Sequence, residues 1–156
     1  LIKIELKIGK GKKYGTHTKI EIIAENGEGT TLKTYEYTKK ERPKLRVYFD
    51  NDDKMFNWPN PYVYLYDTRG GNIKKSKEWP GEKLEKDKDG WYTFTLYDWD
   101  EARAIINDGS DKNQIPAKGE PGNLISGDSY FYYDKVNNHP CWNNFKPQTL
   151  PSQQDK

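Results

Sequence analysis

The sequence predicts an all-β protein, an antiparallel β-sandwich of the immunoglobulin-like kind with an extra N-terminal β segment. Three observations point there. Short runs alternate between apolar and polar residues, the period-two pattern of a half-buried strand. Gly, Pro, Asn-Gly and Asp-Gly punctuate those runs at short, regular spacing, as turns do in all-β domains. The apolar inventory is also largely aromatic. Phe, Trp and Tyr make up 14% of the 156 residues against a single Met, which suits a thin sheet core better than a helical bundle.

Leu1 to Ile8 alternates Ile2, Ile4, Leu6 and Ile8 with Lys3, Glu5 and Lys7, and reads as the first strand. A basic turn, 9–15, follows. Lys19 to Ala24 and Thr31 to Thr38 read as two strands around Asn26-Gly27, a strong hairpin signal. The charged stretch 39–44, with Pro43, marks a boundary. Residues 1–44 are therefore expected to be a three-strand segment, either part of an adjoining Ig-like domain or a flap.

The main body is expected over 45–136. Arg46 to Asp50 is a short strand with Val47 and Phe49 on one face. A loop with Trp58, Pro59 and Pro61 leads to Tyr62-Val63-Tyr64-Leu65-Tyr66. Gly70-Gly71 turns the chain, and Trp79-Pro80-Gly81 turns it again before a strand near Glu82 to Glu85. Asp89-Gly90 opens the strand from Trp91 to Tyr97. Asp98 to Arg103 is expected to make one helical turn, followed by a short apolar strand, Ala104 to Ile106. Asn107-Asp108-Gly109 and a long polar loop with Gln114, Pro116, Gly119 and Pro121 lead to a last aromatic strand, Ser129 to Tyr133. Residues 137–156, rich in Asn, Gln and Pro, are expected to be a polar tail or linker, with Trp142 and Phe145 pinning its first part.

Charge and composition exclude several functions. Twenty-six basic and 24 acidic residues are interspersed for a net charge of +2, so no electrostatic grip on nucleic acid or a membrane is expected. A mean hydropathy of -1.15 is very polar, yet disordered chains are poor in rings, so this one folds. Cys141, the only cysteine, excludes an intrachain disulfide and a thiolate metal cluster. No apolar run reaches membrane-spanning length. The chain opens at Leu1 without Met, which reads as a piece of a longer protein.

Catalytic patterns are missing. His17 and His139 lie in unrelated segments, with no triad or metal spacing, and there is no phosphate-binding Gly loop, nucleophile elbow or zinc pattern. Asp98, Asp100 and Glu101 could pair as glycosidase carboxylates, but read better as a solvated turn with a helix cap. Asp50, Asn51, Asp52 and Asp53 cluster oxygens as calcium would require, without EF-hand spacing, and read better as a solvated loop. No cofactor is expected.

The Tyr62 strand is the most informative stretch. Val63 and Leu65 suit a core, which leaves Tyr62, Tyr64 and Tyr66 on the other face, where Thr, Lys or Glu would be usual. With Trp79 at a nearby turn, this row suits stacking on a flat, hydroxylated partner such as a sugar ring. The rings could equally cover a neighbouring strand or domain. An interdomain or protein-interaction module without sugar binding is therefore the alternative.

Five motifs in order carry a family resemblance: Val47-Tyr48-Phe49, Tyr62 to Asp67, Trp79-Pro80-Gly81, Trp91 to Leu96, and Ala104 to Gly109 with Gln114 downstream. Over residues 46–133 the chain resembles the starch-binding carbohydrate-binding modules of family 26, related to family 25; residues 1–44 lie outside that pattern. The resemblance implies a non-catalytic β-sandwich that binds α-1,4-linked glucans: starch, amylose, amylopectin and maltooligosaccharides. It implies that Trp79 and one strand tyrosine stack on adjacent glucose rings, while a second tyrosine and Gln114 hydrogen-bond hydroxyls. The carried-over set is Tyr62, Tyr64, Trp79 and Gln114, with Tyr66 in reserve because three tyrosines share a face. It further implies a monomeric module of a bacterial, extracellular or cell-surface amylase or starch-scaffold protein.

Overall fold

A computed structural model describes residues 17–26, 29–38 and 41–154. The chain divides into two compact units, Leu1–Arg42 and Pro43–Lys156. In the first, β1 (His17–Asn26) pairs antiparallel with β2 (Gly29–Thr38), in register from His17 opposite Thr38 to Asn26 opposite Gly29. This is the hairpin that Asn26-Gly27 predicts. The expected strand over 1–8, the basic turn after it and Gly27 itself lie outside the described residues.

The second unit is a sandwich of two sheets. Its strands are β3 (Lys44–Phe49), β4 (Tyr62–Asp67), β5 (Lys74–Lys75), β6 (Glu82–Lys83), β7 (Glu85–Lys86), β8 (Tyr92–Tyr97), β9 (Glu101–Asn107), β10 (Gln114–Ile115), β11 (Asn123–Ser126), β12 (Asp128–Asp134) and β13 (His139–Asn143). One sheet runs β10-β9-β4-β5, with β11 also on β9 and β6 also on β4. The other runs β13-β12-β3-β8-β7. Every pairing is antiparallel except β12 with β3, which is parallel and ties the last long strand of the sandwich to its first.

Alternation decides which residues enter the core. Leu45, Val47 and Phe49 of β3, Val63 and Leu65 of β4, and Ala104 and Ile106 of β9 are fully buried. Phe131 of β12 and Ile125 of β11 join them, and Phe94 and Leu96 of β8 pack against the cluster. Leu84 stands between β6 and β7, which belong to opposite sheets. The expected single strand near Glu82 to Glu85 is thus two short strands, with Leu84 buried where the chain crosses between the sheets.

Three further sequence expectations differ from the structure. Asp98 to Arg103 makes no helical turn: Asp98 takes a positive φ of 69°, and β9 starts at Glu101. The charges that suggested a helix start are used by Arg69, whose guanidinium meets Asp67 at 2.7 Å, Asp100 at 2.9 Å and Glu101 at 3.8 Å. Arg69 holds the Asp67 and Asp100 carboxyls below the usual carboxylate range, so neither of these two is kept protonated as an acid catalyst would be.

The 50–53 loop is not solvated throughout, because Asp50 and Asp52 are buried. Their oxygens are used within the fold. Asp52 Oδ1 accepts the Lys54 N–H, and Asn51 bonds both the N–H and the carbonyl of Trp58.

The stretch expected as a polar tail is built into the second sheet. β13 pairs with β12, and Trp142 lies 4.9 Å from Phe131 between ring centroids. Phe145 is 81% exposed and pins nothing. A 3-10 turn at Pro151–Gln153 brings Ser152 to Asp50, where its N–H and Oγ–H donate to the carboxylate, both at 2.7 Å. This supplies the partners that a carboxylate only 2% exposed requires.

Candidate functional site

The outer face of β4 carries Tyr62, Tyr64 and Tyr66, all half-buried, while Val63 and Leu65 point inward. Strand geometry spaces such same-face residues by about 6.5–7 Å. On the neighbouring β9, Asn107 stands opposite Tyr62, Ile105 opposite Tyr64 and Arg103 opposite Tyr66. β10 continues the first row, with Gln114 opposite Asn107.

The Trp79-Pro80-Gly81 turn sits against this strand. Gly81 (φ 98°) donates its N–H to the Glu78 carbonyl at 2.8 Å. A Cβ on Gly81 would collide with the Val63 carbonyl oxygen and stand 2.7 Å from Tyr64 Cα, so only glycine lets the turn close on β4. Asn107, fully buried, holds the turn from the other side: Nδ2 donates to the Pro80 carbonyl at 3.0 Å, while Oδ1 accepts the Gly109 N–H at 2.9 Å. The indole of Trp79 is thereby set 5.6 Å from the Tyr64 ring, tilted by 55°. Its Nε1–H is buried without an acceptor among the described residues, so the indole offers its face rather than a donor.

Tyr64, Trp79, Ile105, Asp111, Gln114 and Lys118 border one open hollow of about 320 Å³. Three of the residues read from the sequence, Tyr64, Trp79 and Gln114, meet there. Gln114 donates from Nε2 to the Pro116 carbonyl at 3.0 Å, which fixes the amide and leaves Oε1 to accept and the second Nε2–H to donate. Tyr62 and Tyr66 flank the hollow without bordering it. Tyr62 packs on the 107–109 turn, where a Cβ on Gly109 would come within 2.9 Å of its ring. Tyr66 stands 5.6 Å from Tyr64, and its hydroxyl accepts the Gly122 N–H at 2.8 Å.

Sequence reasoning missed Asp111 and Lys118. Asp111 sits between Gly109 and Gln114, and that position inside a recognised motif was the signal available. Its turn is held by Asp108, whose carboxylate accepts Ser110 N–H and Oγ–H at 2.9 and 2.6 Å and Asn113 Nδ2–H at 2.7 Å. Burial pushes the Asp108 carboxyl up, but these bonds outweigh it and hold the group below its ordinary value. Lys118 carried no local signal at all.

A broader hollow of about 620 Å³ lies among the 50–59 loop, the 86–92 turn and residues 150–153. Trp58 and Tyr92 border it, but both also pack against the core cluster, and Asp50 and Asn51 at its edge are already bonded. Its size comes from a gap between loops, and its rings are not arranged as a free pair.

Known proteins share this architecture. The family model of starch-binding module 26 matches residues 47–120. A CBM26 from a Bacillus halodurans amylase, solved in complex with maltose, is 28% identical with a TM-score of 0.50, over 66% of this chain and 99% of that one. A second structure of CBM26 from a Bacillus halodurans amylase is 27% identical with a TM-score of 0.50, over 66% of this chain and 93% of that one. The first CBM25 of a beta/alpha-amylase from Paenibacillus polymyxa is 20% identical with a TM-score of 0.51, over 69% and 96%, a likeness of fold. The stretch matched by the starch-binding module 26 model, residues 47–120, carries β4, the Trp79 turn and Gln114.

Proposed function

We propose that the sandwich binds α-1,4-linked glucans and does not cleave them. The observation that carries this reading is the tilted Tyr64 and Trp79 pair, bordering one open hollow with the Gln114 amide. An α-glucan curves, so two rings set at an angle can each face a successive glucose. Each stacked ring contributes about 1 kcal/mol. Gln114 both donates and accepts, as vicinal hydroxyls require. Tyr62, one step along β4, reaches the same sugars with its hydroxyl, while Tyr66 is committed to Gly122 and contributes less.

The match of residues 47–120 to a starch-binding module model and the maltose complex of a 28% identical module support a starch-type glucan as the ligand. Amylose, amylopectin and maltooligosaccharides are the partners. The amylase origin of the 28% identical module supports an extracellular module carried by a larger bacterial amylase or starch-scaffold protein, which we propose to be monomeric. With so few contacts, affinity per site falls between roughly millimolar and micromolar, and several modules on one protein would raise avidity.

Calorimetry of the chain with maltoheptaose, and a pull-down on granular starch with cellulose as the control, test the reading. Heat with maltoheptaose and retention on starch alone are expected. No heat at millimolar sugar, or reducing ends released with time, would contradict it.

A further inference from the structure

We propose that the loop joining β10 to β11 is a fixed wall of the sugar site, that Lys118 on it donates hydrogen bonds to sugar hydroxyls, and that Tyr66 and Arg103 are positioning residues that hold it. This rests on the glucan-binding reading above.

The loop is residues 116–122, and its backbone is tied at the start, middle and end. At the start, the Pro116 carbonyl accepts from Gln114 Nε2. In the middle, Glu120 N–H donates to the Ala117 carbonyl at 3.0 Å, with Gly119 at φ 91°. This is the type II geometry that requires glycine at the third position, and it sets Lys118 at the second, on the outer corner of the turn. At the end, Gly122 is held by both peptide groups: its N–H donates to the Tyr66 hydroxyl at 2.8 Å, and its carbonyl accepts from Arg103 Nη1 at 2.9 Å. A Cβ on Gly122 would stand 3.0–3.1 Å from the Ala104 backbone and 3.1 Å from the Tyr66 ring, so glycine lets the loop lie close on β9.

The loop therefore keeps one position, and in that position Lys118 borders the hollow shared by Tyr64, Trp79 and Gln114. An ammonium only donates, the Asp111 carboxylate bordering the same hollow only accepts, and the Gln114 amide does both. Sugar hydroxyls at the edge of a stacked ring need both kinds of partner. The two exposed charges come from separate segments, and the stacking pair lies in the same hollow. Tyr66 thus affects binding through a backbone bond, without touching sugar.

The test is a double-mutant cycle on the full chain, titrated with maltoheptaose. Lys118 is exposed, so Lys118→Ala is expected to keep the wild-type melting temperature and weaken binding about three- to tenfold, the effect of one hydrogen bond. Tyr66→Phe keeps the ring and frees Gly122, and should weaken binding about two- to threefold. The double variant should bind no more weakly than Lys118→Ala alone, a coupling that general destabilisation does not produce. Wild-type affinity in Lys118→Ala, or losses that add in full, would overturn the inference while Trp79→Ala still abolishes binding. A wild-type chain that gives no heat would instead bring down the glucan-binding reading itself.

Discussion

Both outer faces of this sandwich carry rows of rings, and the β4 face holds a tilted ring pair beside an open hollow. On the β3–β12 face, Tyr48 and Tyr130 stack on each other at 4.4 Å and 12°, and Trp91 meets both edge-on at 6.2 and 5.4 Å. Trp91 is 1% exposed and Tyr130 4%. Residues 146–150 line a hollow of about 380 Å³ together with Trp91, and Leu150 reaches within 3.2 Å of where a Gly90 Cβ would be. On the β4 face, the rings of Tyr64 and Trp79 stand tilted, half-buried, and beside an open hollow. Ring content is alike on the two faces. What separates them is burial: Trp91 and Tyr130 are almost wholly enclosed, whereas Tyr64 and Trp79 stay half-buried beside open space.

The two tryptophans at the centre of this comparison should respond in opposite ways. Trp91→Ala should destabilise the sandwich by about 3–5 kcal/mol, as removal of a fully buried ring does. Trp79→Ala should leave the melting temperature nearly unchanged and abolish most maltoheptaose binding. Chemical denaturation and calorimetry on both variants read these effects, and a large loss of stability at Trp79 would mean that its ring is a plug.

Next in size is the clasp between Ser152 and Asp50. Ser152→Ala removes one of two donors from a buried carboxylate and should cost about 1–3 kcal/mol near neutral pH. Burial raises the Asp50 carboxyl above its ordinary value, and the Ser152 bonds oppose that rise. A carboxyl whose folded value lies above its unfolded one costs stability when charged, and the cost fades as pH falls through the folded value. The deficit of Ser152→Ala should therefore shrink in acid. A deficit that grows in acid would contradict this assignment.

How far these features were legible in the sequence depends on what fixed them. β4 was plain because alternation alone decides which residues face inward. The Trp79 turn was plain because Gly81 is required by close backbone approach. β13 was hidden because its sequence, His-Pro-Cys-Trp-Asn, has no period-two pattern. As the edge strand of its sheet it tolerates Pro140, which reads as a strand breaker. The Ser152 clasp joins residues 102 positions apart, and the wall carrying Lys118 is held by a bond spanning 56. No local pattern encodes such pairings.

Smaller effects sharpen the site. Tyr64→Ala and Tyr62→Ala should both weaken binding. Tyr→Phe should cost about 0.5–1.5 kcal/mol at Tyr62, the proposed hydroxyl contact, and little at Tyr64, the proposed stacking ring. A ranking led by Tyr66 in calorimetry would shift the site one step along β4. The smallest effect is expected from removing residues 1–42, the separate unit, which should leave maltoheptaose affinity within tenfold. A folded variant that lost more would place part of the site in that unit.

The most direct measurement follows the five indole N–H signals of Trp58, Trp79, Trp91, Trp99 and Trp142 by NMR as maltoheptaose is added. The account predicts a saturable shift of the Trp79 signal, with the Trp91 signal unmoved. A saturable shift at Trp91 or Trp58 with Trp79 silent would contradict it, and would put the sugar on a part of the molecule other than the β4 face.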